Sequence, residues 1–305
     1  MSDATRMPSV SLSAMPGRRS KTLAAAKALE TAGFTGVYSP TFGDGMAFCE
    51  ALALETNRIQ IGTSIANIYT RLPSDYAQSA AFIQEVSDGR FRFGIGVSHE
   101  ALNKRLGVPG TGKPVSDMRR FVQECRAVPR IGNLPPIVLA GLRDPMVRLA
   151  GEIAEGVVFA NVAASHVSHT LEQLPQEKRT SDDFFIGNMI PICISDDAEA
   201  AAAVNRKTMM AYIGLPNYRN YWKAAGYVEE MEAIEKARAA KDFDSLPKLM
   251  HERWLDDVTL FGSLSKVREG LERWFDLGVR TPILVSSSTS GGQLKAIEEL
   301  IAAFR

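Results

Sequence analysis

The feature that most constrains this chain is an alternation of short apolar or β-branched runs with longer stretches of helical spacing. Strands that are apolar along their whole length, rather than every second residue, are those buried on both faces of a parallel sheet by helices. The runs are Val10–Ser13, Gly36–Ser39, Ile59–Ile65, Phe91–Val97, Ile137–Ala140, Gly156–Ala160, Phe184–Ile194 and Pro282–Ser286. Eight parallel strands separated by helices are what a closed barrel needs, so the expected fold class is α/β, a (β/α)₈ TIM barrel. An open doubly wound sheet is the alternative, with its ligand at a topological switch point. The strand count, with no run marked as an edge, favours the barrel.

Punctuation between the runs supports the same frame. A helix is expected over Lys21–Thr31, with Gly33 just past its end, where positive φ is needed. Asp44 opens the next helix, and the turn Ser87-Asp88-Gly89-Arg90 introduces the fourth strand. Asp144 as N-cap and Pro145 at the first helical position fit a helix after the fifth strand. The irregular stretch is Asp196 to Asp257, several helices in succession between the seventh and eighth strands, read as a helical insertion at about 196–257 in a single domain of residues 1–305. Its aromatic residues Tyr212, Tyr218, Tyr221 and Trp222 either line a substrate mouth or pack a core.

Composition narrows the function. Lys plus Arg and Asp plus Glu both total 35, so no broad field draws the chain to nucleic acid or an anionic membrane. No apolar run approaches the roughly 18 residues of a membrane span. The polar N-terminus Met1–Arg6 lacks the apolar segment of a secretory signal. Cys49, Cys125 and Cys193 form no CxxC or zinc pattern and read as buried free thiols of a reducing compartment, so a cytoplasmic protein is expected. His166 and His169 stand three apart without HExxH or a carboxylate cluster; a solvated helix face explains them, and no metal is expected. His251 is isolated, and no Gly-x-Ser-x-Gly elbow appears.

Three segments carry the chemistry. In Gly89–His99 a strand ends in Gly94-Ile95-Gly96, followed by Val97, Ser98 and His99 at the C-terminal end, where barrel active sites sit. The two glycines either let a ligand approach the backbone or relieve crowding inside the barrel. They are not the Rossmann fingerprint, whose third glycine would fall at His99. In Ile137–Met146 a buried strand runs into Gly141, Leu142 and Arg143 ahead of a helix N-terminus. That end suits a phosphate, or is merely a capped helix with a solvated arginine. In Ile61–Asn67 a strand passes into polar residues. A fourth stretch, Ser286–Gly292, follows the last strand and reads as a phosphate loop or a flexible linker.

Together these segments resemble the luciferase-like flavin-dependent oxidoreductases, and more closely their F420-dependent branch. The resemblance is carried by Gly36–Pro40, Gly62–Ile65, Gly89–His99, Leu139–Gly156 and Phe261-Gly262-Ser263 with Val267 and Gly278-Val279. It implies a cofactor lying across the C-terminal mouth of the barrel and a non-proline cis peptide at Ser64-Ile65, pressing a bulge against the cofactor ring. Thr63, Ser64, Ile65 and Ala66 would then meet the ring. Gly94 and the stretch Gly96, Val97, Ser98 and His99, with Gly141, Leu142 and Arg143, would receive the cofactor and its phosphate-bearing tail. Many relatives carry an Asp-His or similar pair after the second strand; Ser39-Pro40-Thr41 stands here instead, so the candidate catalytic residues are Ser39 and His99, the latter a substitute proton carrier, a tail ligand or a satisfied histidine of the barrel rim. The implied activity is hydride transfer between coenzyme F420 and a small organic substrate. The alternatives are an FMN-dependent monooxygenase using oxygen, and a cofactor-binding protein without turnover. A homodimer, a form relatives often take, is also implied.

Overall fold

The computed structural model describes residues 6–305, so the reading of the N-terminus as no secretory signal lies, Arg6 apart, outside the described residues. Ten parallel strands form the sheet: β1 Ser9–Ser11, β2 Gly36–Ser39, β3 Gln60–Thr63, β4 Ala66–Asn67, β5 Phe91–Gly96, β6 Ile137–Ala140, β7 Gly156–Ala160, β8 Phe185–Ile194, β9 Leu260–Gly262 and β10 Thr281–Ser287. The order β10-β1-β2-β3-β5-β6-β7-β8 closes on itself because β10 also pairs with β8, from Thr281 beside Gly187 to Ser287 beside Cys193. This is the expected eight-stranded barrel. Helices alternate with the strands and sandwich their outer faces in the main hydrophobic core.

A smaller apolar cluster belongs to the lumen: Tyr38, Val138, Val158, Met189 and Ile283, with Ile65, Ala140, Ala160, Phe185 and Val285 packed on it. Barrel strands present alternate residues inward, which is why Val37 joins the outer core while Tyr38 fills the interior. Cys49, Cys125 and Cys193 are free and buried, as expected. Among the described residues no helix is long and apolar enough to cross a membrane.

Three expectations need correction. The third run is not one strand: Ser64 and Ile65 interrupt it, and pairing to β5 resumes at Ala66. Asp144 does not cap its helix; the helix is Asp144–Ile153, Arg143 is the N-cap residue, and no side chain caps it. His166 precedes the helix Val167–Leu171, so only His169 is on it. By contrast, Gly33 has the positive φ anticipated, +88°. Asp44 caps Gly45–Glu55 by accepting the Ala47 N–H. β9 is an addition: Leu260–Gly262 pairs with Ile192–Ile194, the half of β8 that extends beyond β7.

The turn before β5 is held by one side chain. Arg90 donates from Nε to the Ser87 carbonyl at 2.8 Å, from Nη1 to Thr56 Oγ1 and the Ile59 carbonyl, and from Nη2 to the Ala53 and Thr56 carbonyls. One planar fork thus ties the turn to the end of the helix Gly45–Glu55 and to the start of β3. Arg90→Ala is expected to lower stability by about 2 kcal/mol, read as a shift in denaturant midpoint, because several of those carbonyls then rely on water alone. Arg90→Lys should recover only part of the loss, since an ammonium cannot reproduce the fork. A midpoint unchanged in both variants would remove Arg90 as the turn's anchor.

Candidate functional site

The C-terminal ends of the barrel strands gather the segments singled out above. At the end of β3 the Ser64-Ile65 peptide is cis, as the resemblance implied. The Ser64 N–H donates to the Ser39 carbonyl at 2.7 Å, fastening this bulge to the end of β2. Thr63 spends its hydroxyl on the Gly94 carbonyl at 2.6 Å, so that side chain serves the fold. Ser64 Oγ is buried with no hydrogen-bond partner. Ala66 is buried in β4.

The bulge explains the Gly-x-Gly of β5. A Cβ on Gly94 would fall on the Thr63 carbonyl oxygen, and one on Gly96 would lie 2.8 Å from Ile65 Cδ1 and 3.0 Å from Ala140 Cβ. The crowding is therefore internal: both glycines make room for the Thr63–Ile65 segment. Ile65 stands against Gly96 and packs on the lumen cluster, on which Ala140, Ala160 and Val285 also pack. The result is a small, uncharged floor at the barrel mouth.

Beyond Gly96 the chain runs through Val97 and Ser98, the latter with φ +55°, and His99 precedes the helix Glu100–Arg105. Asn103 on that helix donates to the Val97 carbonyl at 2.9 Å and accepts from Asn67 Nδ2 at 2.8 Å. This buried asparagine pair brackets the segment onto β4. Burial lowers the His99 pKa below its ordinary value, which keeps the imidazole neutral at pH 7. Ser39 is buried, and its hydroxyl is turned toward the start of the next helix, where a Cβ on Gly45 would lie 3.2 Å away.

Gly141 is buried, with Val157 and Val147 3.0 and 3.2 Å from where its Cβ would be. Leu142 is half-buried and Arg143 exposed at the helix N-terminus. The carboxylate of Asp144 stands in the first turn of the same helix, 3.9 Å from Arg148, so negative charge is already present there. The serine loop after β10 is also occupied. Ser288 and Ser290 donate to Glu299 at 3.0 and 3.1 Å, and a carboxylate held there opposes a phosphate.

The inserted helices supply what the sequence left open. Tyr218, Tyr221 and Trp222 on Pro216–Ala224 are buried, and Tyr212 on Ala198–Ile213 is half-buried. Rings run from His99 to Tyr218 at 5.8 Å and from Tyr218 to Tyr212 at 5.1 Å, so the aromatic residues are core and mouth wall at once. Trp222 Nε1 donates to the Asn161 carbonyl at 3.0 Å, just past β7. Tyr221 Oη accepts the Ala163 N–H at 3.3 Å. Buried Asp257 accepts from Ser165 N, Ser165 Oγ and Tyr227 Oη, and pairs with Arg273. The insertion is thereby pinned to the segment just after β7, with Tyr218 set against His99. Asn161 and Asp257 carried no sequence signal, because each acts through a partner some 60 to 90 positions away in the chain. Among the described residues no group of three potential metal-ligating side chains occurs.

Comparison with known proteins places this geometry among relatives. The family model for luciferase-like monooxygenases matches residues 7–130 and 111–281. A Mycobacterium tuberculosis protein named as a coenzyme F420-dependent oxidoreductase is 23% identical, with 90% of this chain and 92% of the relative covered. A 5,10-methylenetetrahydromethanopterin reductase of Methanolobus tindarius is 25% identical over 90% of this chain and 92% of its own. The solved structure of the coenzyme F420-dependent tetrahydromethanopterin reductase from Methanopyrus kandleri superposes with a TM-score of 0.75 at 19% identity, covering 97% of each chain.

Proposed function

The chain belongs to the luciferase-like monooxygenase family, and from that premise we propose that it is an oxidoreductase using coenzyme F420 to exchange a hydride with a small organic substrate. The observation that carries the reading is the Thr63–Ile65 bulge, which sets Ile65 against Gly96 and the lumen cluster as an apolar floor at the mouth. A flat tricyclic ring fits such a floor, and the unpartnered Ser64 hydroxyl beside it offers a ring edge a hydrogen bond. The names of the relatives described above point to the same cofactor.

Bound there, the deazaflavin would supply the hydride chemistry. The chain's residues do the rest. Ile65 would support the ring, the inserted helices would shield one side from water, and Arg143, exposed at its helix N-terminus, would be the residue to meet the tail. His99, neutral through burial, is able to take a proton from a substrate hydroxyl or return one. If neutral His99 is required, kcat/KM falls as pH drops below 6.5 toward the lowered pKa, and His99→Gln removes that limb. The folded state follows the same sign. Stability tied to His99 is complete above the unfolded pKa and is lost as pH falls through the folded one. An acid limb unchanged in His99→Gln would transfer the proton to another group.

The deciding experiment is a fluorescence titration of the purified protein with F420 and, separately, with FMN. Tight saturable F420 binding with little FMN binding is expected. The reverse preference would move the protein to oxygen-using flavin chemistry, and binding of neither would overturn the cofactor assignment. Oxidation of reduced F420 on addition of a substrate would separate an enzyme from a non-catalytic binder.

A further inference from the structure

We propose that the substrate is an amphiphile, an apolar chain or ring system with a negatively charged end, and that it enters across the loops following β1, β2, β4 and β5. The proposal rests on the oxidoreductase reading and names the substrate class for that site. Its first support is where large apolar side chains are left in water. Met15 is 53% exposed, Phe42 66%, Leu72 72% and Leu106 51%. Met15 follows β1, Phe42 follows β2, Leu72 follows β4, and Leu106 ends the short helix after β5. With β3, which stands between β2 and β5, these strands form one run of the barrel order, so the four side chains lie on loops along one side of the mouth. Two of the loops are joined directly, through the 2.7 Å ion pair of Asp44 with Arg71. The other large exposed apolar side chains, Leu54, Phe82, Val228 and Phe243, lie on outer helices or on the insertion.

The second support is the insertion. Trp222, Tyr221 and Asp257 fasten the insertion to Asn161, Ala163 and Ser165, all in the segment after β7, across the barrel from the loops that follow β1, β2 and β4. An exposed apolar patch beside a binding mouth is the usual mark of a ligand surface. The third support is charge. Arg71 and Lys104 on this side are paired with carboxylates. Arg18 and Arg19, three and four residues after Met15, and Arg105, next to Leu106, are exposed without an ion pair among the described residues. A cationic ligand would be repelled by them, and an uncharged one would leave them unused.

The test uses the fluorescent apolar anion 8-anilinonaphthalene-1-sulfonate, displaced by straight-chain carboxylates of increasing length. In the wild type, affinity is expected to rise about two- to fourfold per added methylene until this apolar side is filled. Phe42→Ser with Leu72→Ser should weaken the longest carboxylate at least tenfold, and Arg18→Gln with Arg19→Gln should weaken all lengths equally. F420 titration should be unchanged in both double variants, which also reports that they fold. Affinity independent of chain length, or matched by uncharged alcohols of the same length, would overturn the proposal. So would a dimer that the apolar double variant dissociates, or binding to phosphatidylglycerol vesicles that this variant abolishes, since either gives this side another occupant. The F420 and FMN titrations of the wild type decide the cofactor reading separately.

Discussion

Gly94→Ala is expected to destabilise the protein by about 3 kcal/mol or more and to abolish saturable cofactor binding. The new methyl would occupy the position of the Thr63 carbonyl oxygen, a backbone atom with no rotamer to escape into. Relief requires moving the Thr63–Ile65 bulge, which is tied to β2 by the Ser64 N–H and to β5 by the Thr63 hydroxyl. Any such shift displaces Ile65, the floor on which the ring is proposed to rest. Gly96→Ala is the informative partner. Its methyl would meet Ile65 Cγ1 and Cδ1, both 2.8 Å away, and Ala140 Cβ at 3.0 Å, all side-chain atoms rather than backbone, so Ile65 is displaced at a smaller cost in stability. Denaturant unfolding paired with F420 titration should therefore show Gly94→Ala losing both properties and Gly96→Ala losing mainly affinity. A wild-type unfolding midpoint in Gly94→Ala would mean that the glycine is not what admits the bulge.

Trp222→Ala should cost about 3–5 kcal/mol, the range for emptying a fully buried large aromatic site. Trp222 is fully buried, stands edge-on to Trp254 with ring centroids 4.9 Å apart, and lies 5.4 Å from Tyr218. Its indole N–H also satisfies the Asn161 carbonyl, so truncation leaves both a cavity and an orphaned acceptor. Both losses fall on the joint between insertion and barrel. The insertion is expected to loosen before the barrel melts, read as faster proteolysis at the connections around Gly214, Gly226 and Asp242. Trp222→Phe should fall between, because it keeps most of the packing and loses only the hydrogen bond. One unfolding transition displaced by less than about 1 kcal/mol, with proteolysis unchanged, would show that the insertion is held elsewhere.

What could be read from the chain alone follows from burial. Gly36–Ser39, Ile137–Ala140 and Gly156–Ala160 are strands at the residues expected, because a strand covered on both faces must be apolar throughout. That the insertion is a succession of helices was expected, though not their bounds, which are Ala198–Ile213, Pro216–Ala224 and Val228–Ala239 among others. β9 was not, since three residues paired to the overhang of β8 have no pattern that separates them from a loop. Asp144 misled for a local reason. Asp followed by Pro suits an N-cap, but here the helix begins one residue earlier and Arg143 takes the cap position without a side-chain bond.

The candidate site divides along the same line. The segments ending β3, β5 and β6 announced themselves by glycine and polar residues at strand exits, a property of local sequence. Tertiary structure alone decided what those glycines are for, because the atom that forbids a Cβ on Gly94 belongs to Thr63, on a strand more than thirty residues earlier. It also decided that Ser288 and Ser290 are claimed by Glu299, that Ser39 is buried beneath the following helix, and that His99 meets Tyr218 of the insertion. Strand and helix follow from the order of apolar and polar residues along the chain. The site depends on which distant backbone atoms closure of the barrel brings within van der Waals reach, and periodicity carries no record of that.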